Sequence, residues 1–226
     1  MEPNFNEIKQ EILRRAKKAN ACKSEYGRAC AAETISELSQ VIKDNFDWAC
    51  IYGVLTVDLI ERYKEDFSAN DIYANQNAKN GYLLCDSATV EAYGNAIVKA
   101  YGNSIVEAYD NAKVEAFDST TVRAHDGTMI QAYNNATVKA FDDATVSAYR
   151  NSTVEAYDYT YCTSLHTIDC KLFNHAIYCV RGTNTVYYAD SDLKFVKQWQ
   201  KPHRTKNGVH SLLSLERVKQ TYESTK

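Results

Sequence analysis

The chain contains no stretch approaching the ~18 consecutive apolar residues of a membrane span, so a transmembrane helix is excluded from the reading. Its opening, MEPNFNEIKQEILRRAKKAN, lacks the apolar core of a secretory signal. It has no large excess of either charge: 26 Lys and Arg stand against 29 Asp and Glu, a formal net charge of −3. No global electrostatic pull toward nucleic acid or membrane follows from that balance. Gly-rich phosphate loops, HExxH helices and nucleophile elbows are all missing. Cysteine occurs 7 times, an odd number with no secretion signal. That predicts free thiols, a reducing compartment and a cytoplasmic protein. Proline is scarce, with 2 residues, whereas tyrosine is abundant, with 17. The remainder is ordinary: 45% hydrophobic and 24% charged over 226 residues, enough for one or two domains with a sizeable core.

The tyrosines are organised by a repeat. From Ala88 the chain reads ATVEAYGN, AIVKAYGN, SIVEAYDN, AKVEAFDS, TTVRAHDG, TMIQAYNN, ATVKAFDD, ATVSAYRN and STVEAYDY, nine octads ending at Tyr159 without an insertion. The third position is Val, or Ile130 once, and the fifth is always Ala, from Ala92 to Ala156. The sixth is a ring: Tyr93, Tyr101, Tyr109, Phe117, His125, Tyr133, Phe141, Tyr149 and Tyr157. The seventh and eighth are mostly Gly, Asp, Asn or Ser, the residues of tight turns.

Six alternating residues and a two-residue turn make one short strand per octad. A helix would smear an eight-residue period around its circumference and break at each turn pair. Alternation puts positions one, three and five on one face and two, four and six on the other. The fourth position is often charged and must meet water, so the rings lie on the outer surface too. An interior of Val and Ala is thin and cannot fill a wide barrel at native density. The fold class expected is mainly β: a flattened, short-coil β-solenoid with an N-terminal α-helical cap. Two octads per coil are preferred, with three per coil as the rival.

The flanks divide accordingly. Residues 1–70 carry apolar residues at helical spacing in three runs, the last from Trp48 to Phe67 and interrupted at Gly53. They predict a small helical cap over the first coil, whose open end would otherwise be an unpaired sheet edge. Residues 71–87 read as an adaptor. Residues 88–193 read as the solenoid, with degenerate closing coils from 160 and a last strand pair around Gly182-Thr183. Residues 194–226 form a basic tail, with a short helix expected over 211–222.

No catalytic, cofactor-binding or metal-binding residue is assigned. Cys162, His166, Cys170 and His175 have a spacing that invites a zinc reading. The octad register opposes it, because the cysteines replace inward Val while the histidines fall on turns. Threonines at the second position (Thr89, Thr121, Thr137, Thr145, Thr153) suggest an ice-binding rank, but charged fourth positions share their face. Mimicry of DNA fails on charge. The octads hold ten acidic and five basic residues, roughly −1 per coil where duplex DNA would carry ~3. Nucleic acid is therefore an unexpected partner, except through the basic tail. The ring column has two readings: a ladder that shields the sheet, or an interface for a protein. On the second reading the partner-binding residues are Tyr133, Lys139, Tyr149, Glu155 and Tyr157.

The A-T-V-x-A-Y-[GD]-[NS] array resembles the octapeptide-repeat proteins of Bacteroides-type bacteria and their phages and prophages. The plan of a helical region carrying DNFDWA (Asp44–Ala49), then repeats, then a Cys-bearing end, is similar to theirs as well. The resemblance implies a β-solenoid and, from the mobile-element setting, a small protein that acts on a bacterial host. The function expected is a non-enzymatic binding or scaffold module working by protein–protein contact. The alternatives are a phage-encoded inhibitor blocking a nucleic-acid or nucleotide-signal site of a host defence protein, and an enzyme with its site at the cap–solenoid junction. An oligomer is compatible with each.

Overall fold

The computed structural model describes residues 4–190 and 193–198. Six helices come first: α1 (Phe5–Lys18), α2 (Lys23–Ala31), α3 (Ile35–Asp44), α4 (Phe46–Ile51), α5 (Val57–Arg62) and α6 (Lys64–Ser68). In α1 the residues Phe5, Ile8, Ile12 and Ala16 are buried, the stripe expected of an amphipathic helix. Thr34 caps α3 by accepting the Glu37 amide at 3.2 Å, and Thr56 caps α5 by accepting the Leu59 amide at 3.3 Å. The apolar run from Trp48 to Phe67 is therefore not one helix. Gly53, in the left-handed region at φ +65°, ends the first piece, and the Thr56 cap starts the next.

The remaining described residues form a β-solenoid with two octads per coil. One sheet, A, has the order β1 (Ile72–Ala74), β2 (Tyr82–Asp86), β4 (Ile97–Tyr101), β6 (Lys113–Ala116), β8 (Met129–Ala132), β10 (Thr145–Ala148), β12 (Tyr161–Ser164), β14 (Ile177–Val180), β15 (Thr185–Asp190) and β16 (Leu193–Gln198). The other, B, runs β3 (Thr89–Ala92), β5 (Ile105–Ala108), β7 (Thr121–Ala124), β9 (Thr137–Ala140), β11 (Thr153–Ala156) and β13 (Asp169–Leu172). Repeat strands pair parallel and in register two octads apart, as Val138 with Val154 and Ala140 with Ala156. Adjacent octads thus alternate between the sheets. The rival of three octads per coil is excluded.

Parity holds. Ala92, Ala100, Ala108, Ala116, Ala124, Ala132, Ala140 and Ala156 are fully buried, with the third-position Val column beside them. So are the small first-position residues Ala96, Ser104, Ala112, Thr120, Thr128, Ala136 and Ala144. The turns explain the seventh position. Asp110, Asp118, Asp126, Asn134, Asp142 and Asp158 all adopt φ between 54° and 59°, a conformation that Asp and Asn tolerate. The aspartate carboxylates also tie coils together: Asp110 accepts the Gly94 amide at 2.8 Å, Asp126 that of Asp110 at 3.1 Å, and Asp142 that of Asp126 at 3.2 Å.

The sixth-position rings form two stacks, one after each sheet. Tyr101, Phe117, Tyr133 and Tyr149 follow sheet A with centroids 4.8–4.9 Å apart. Tyr93, Tyr109, His125, Phe141, Tyr157 and Phe173 follow sheet B at 4.5–5.1 Å. His125 is one more ring in its stack, between Tyr109 and Phe141.

Three boundaries differ from the sequence reading. The solenoid starts inside the expected adaptor, since β1 and β2 already belong to sheet A. The octad phase is hidden there because β2 pairs with β4 at a spacing of 15 residues, Tyr82 opposite Ile97. The helices are also more than an end cap. Ile72, Ala74 and the outward-facing Leu84 lie in the helical core, with Tyr82, Ile97 and Tyr101 packed against it. The helices thus lie on the outer face of sheet A over its first strands. At the far end β14 and β15 pair antiparallel around Gly182-Thr183, the last strand pair expected there, and β16 adds a further antiparallel strand over residues read mostly as the start of the tail. Tyr178 takes a Val position inside the last coil, where its hydroxyl sits 2.7 Å from Ser164 Oγ and accepts the Ile168 amide at 3.0 Å. The helix expected over 211–222 lies outside the described residues.

Candidate functional site

Assigning octads to sheets separates the outward side chains into two unlike faces. On sheet B the fourth-position column reads Glu91, Glu107, Arg123, Lys139, Glu155 and Lys171, charged at each coil. On sheet A it reads Lys99, Glu115, Gln131, Ser147 and Thr163. The two charged members, Lys99 and Glu115, pair with each other beside α4. Beyond them, β8, β10 and β12 present Met129, Gln131, Thr145, Ser147, Tyr161 and Thr163, with Tyr133, Tyr149 and Leu165 following at the corner. None carries a charge. Met129, Tyr161 and Leu165 are 44%, 42% and 52% exposed.

The five residues expected at an interface do not share a face. Tyr133 and Tyr149 border this uncharged surface. Lys139, Glu155 and Tyr157 belong to sheet B and are engaged with one another and their neighbours. Glu155 pairs with Lys139 at 2.9 Å and with Lys171 at 3.2 Å, and Tyr157 donates to it at 3.3 Å. Both lysines hold the Glu155 carboxyl below its usual range. Arg150 was overlooked by the sequence reading. It stands next to Tyr149 at a seventh position with φ 57°, where other octads place Gly, Asp or Asn, and no carboxylate pairs with it among the described residues. The signal for it was present in the repeat as the single basic residue at that position.

Where α3 and α4 overhang sheet A, a cleft of about 600 Å³ opens, lined among others by Asp47, Trp48, Ile97, Lys113, Glu115 and Met129. Lys43 and Asp44 at its edge are occupied elsewhere, by Asp71 at 4.0 Å and Arg28 at 2.6 Å. Behind the wall Lys99 is 1% exposed, its ammonium 3.1 Å from Asp47 Oδ1, bonded to Glu115, and 5.5 Å from the centre of the Phe117 ring. Burial pushes the nearby Cys50 thiol up to about 12 and raises Tyr101, whose hydroxyl is buried without a partner. A thiol held neutral is a poor nucleophile, and the Lys99 ammonium is engaged by two carboxylates.

No family model, curated protein or solved structure matches the chain. The site therefore rests on geometry. Among the described residues no group of three or more His, Cys, Asp or Glu is placed to hold a metal ion. Cys162 and Cys170 are free thiols inside the solenoid, and hydrogen bonding to Cys170 with burial drives Cys162 far up. His166 is exposed on its turn, and His175 stacks on Tyr159 at 5.2 Å. No helix among the described residues is long and apolar enough to cross a membrane.

Proposed function

We propose that the protein is a non-enzymatic binding module that docks a partner protein on the uncharged outer face of sheet A. The observation that carries this reading is the contrast between the two faces of one repeat. Water-facing strands favour charge, and sheet B shows that this octad accommodates it at each coil. Across β8, β10 and β12 the same positions hold none. Desolvating a charge is costly, so interface centres are depleted in Lys, Glu and Asp and enriched in Tyr, Met and Arg. Met129, Tyr133, Tyr149 and Tyr161, with Arg150 at the border, match that composition. The strands hold these side chains on a rigid frame, which limits the entropy lost on docking. The surface the partner brings is itself poor in charge.

The test uses two matched substitutions. Thr145 on sheet A and Thr137 on sheet B occupy the same octad position, both half-buried at the surface. Each tolerates Lys with little change in stability, about 0.5 kcal/mol or less. Removing Tyr133 or Tyr149 would be less clean, because both rings also stack in the ladder. A protein captured from cell lysate by the wild type and by Thr137→Lys, and lost with Thr145→Lys, supports the reading. Equal capture by both variants refutes it.

A further inference from the structure

We propose that the junction cleft binds a small zwitterion with an apolar side chain, an α-amino acid or a close analogue. The argument begins from charge left over after internal pairing. Lys99 supplies one ammonium to two carboxylates, Asp47 and Glu115. Each carboxylate has about four lone-pair sites, so both keep acceptor capacity toward the cleft. Asp47 is 69% exposed and free to turn to a ligand. Lys113 stands two residues before Glu115 on the same outward face of β6, is exposed, and has no ion-pair partner among the described residues. The cleft thus offers a net negative group and a lone cation side by side.

Two residues along a strand place Lys113 and Glu115 ~7 Å apart at the backbone. An α-ammonium and α-carboxylate with a hydrogen bond of ~2.8 Å at either end span that separation. The ammonium meets Asp47 and Glu115, and the carboxylate meets Lys113. The remaining wall is apolar: Trp48 from α4, with Ile97 and Met129 from the sheet. It receives the ligand side chain, and a volume of about 600 Å³ is ample for it. Electrostatics select the class. A simple cation is repelled by Lys113, and a simple anion by Asp47 and Glu115. The cleft adjoins the partner face, with Met129 on the border of both, but the charges that define it lie outside that face and the proposal does not rest on it.

The probes are L-phenylalanine, L-phenylalaninamide, which keeps only the ammonium, and N-acetyl-L-phenylalanine, which keeps only the carboxylate. Trp199→Phe leaves Trp48 as the single indole, whose N–H resonance reports occupancy of the cleft. L-Phenylalanine is expected to shift that resonance saturably, with each singly charged analogue binding ~10-fold or more weakly, the loss of one charge-assisted contact. Asp47→Asn is expected to remove the advantage of phenylalanine over N-acetylphenylalanine, and Lys113→Met its advantage over the amide. The Asp47 and Lys113 side chains are largely exposed, so both variants retain the fold, which a circular dichroism spectrum verifies. Equal affinity for the three probes would reduce the cleft to an apolar hollow and overturn the proposal. So would no saturable shift with phenylalanine, or variants that leave the preference unchanged.

Discussion

Arg150 offers a direct test of how the turns are built. Its backbone sits at φ 57°. A side chain with a Cβ pays ~1 kcal/mol or more in that conformation, a cost that Gly avoids and that Asn and Asp offset by local hydrogen bonding. In the repeat Gly94, Gly102, Asp110, Asp118, Asp126, Asn134, Asp142 and Asp158 fill the equivalent place, each with positive φ. Arg150→Asn should therefore stabilise the protein by ~1 kcal/mol. For a chain of this size that raises Tm by about 2–4 °C. The reciprocal change, Asn134→Arg, puts the same strain into the same corner one coil earlier and should lower Tm by a similar amount. Scanning calorimetry of the three proteins in one buffer measures both shifts. An Arg150→Asn protein that melts at or below the wild type would refute the strain argument. If the argument holds, the stabilised variant should also bind the sheet A partner more weakly, the exchange of stability for function expected at a strained functional position.

Two further outcomes follow from the packing. Ala124→Leu inserts three heavy atoms into a fully buried column and should cost ~1–3 kcal/mol by overpacking, read as a lowered midpoint in urea; an unchanged midpoint would mean that the interior is looser than the structure shows. Iodoacetamide at pH 8 should label the exposed Cys22 and Cys30 well before Cys50 and Cys85, whose thiols burial pushes up to about 12. Their thiolate fraction rises with pH, so peptide mapping at pH 10 should narrow the gap; early labelling of Cys50 at pH 8 would contradict the closed junction behind the cleft.

The repeat made the fold legible because an eight-residue period with a fixed Ala, Val and ring admits one strand geometry. The inward Ala column and the stacked rings follow from parity alone. What hid the functional geometry was the doubling of that period. A coil holds two octads, so residues eight apart lie on opposite sheets and those sixteen apart are neighbours. Grouping Tyr133 and Tyr149 with Lys139, Glu155 and Tyr157 treated all octads as one surface. Reading alternate octads would have shown Gln131 and Ser147 on one side and Arg123, Lys139 and Glu155 on the other. The start of the solenoid was hidden by a different cause. Ser87 and Ala88 close the coil one residue early, so Tyr82 falls opposite Ile97 at a spacing of 15 rather than 16. The junction cleft was invisible because it depends on where α4 lands, and only tertiary packing brings Asp47 to Lys99 and Glu115.

The two faces also bear on how an octad repeat would serve the binding role proposed above. Each octad spends positions one, three and five on the core and the seventh on the turn, which leaves the second and fourth free to vary. Because successive octads alternate sides, those free positions form two independent columns on one scaffold. Sheet B uses its column for charges of both signs, which keep a flat parallel face in water and discourage sheet-to-sheet association. Even its exposed Ile105 stands beside Glu107. Were sheet A under the same demand, its exposed Met129 and Tyr161 would have charged neighbours on their strands. They have Gln131 and Thr163 instead. The helices cover only the first strands of sheet A, where Leu84 and Ile97 lie under them. Past that cover β8, β10 and β12 carry no outward charge although Met129 and Tyr161 stand exposed, and the docked partner proposed above would supply the physical reason for it.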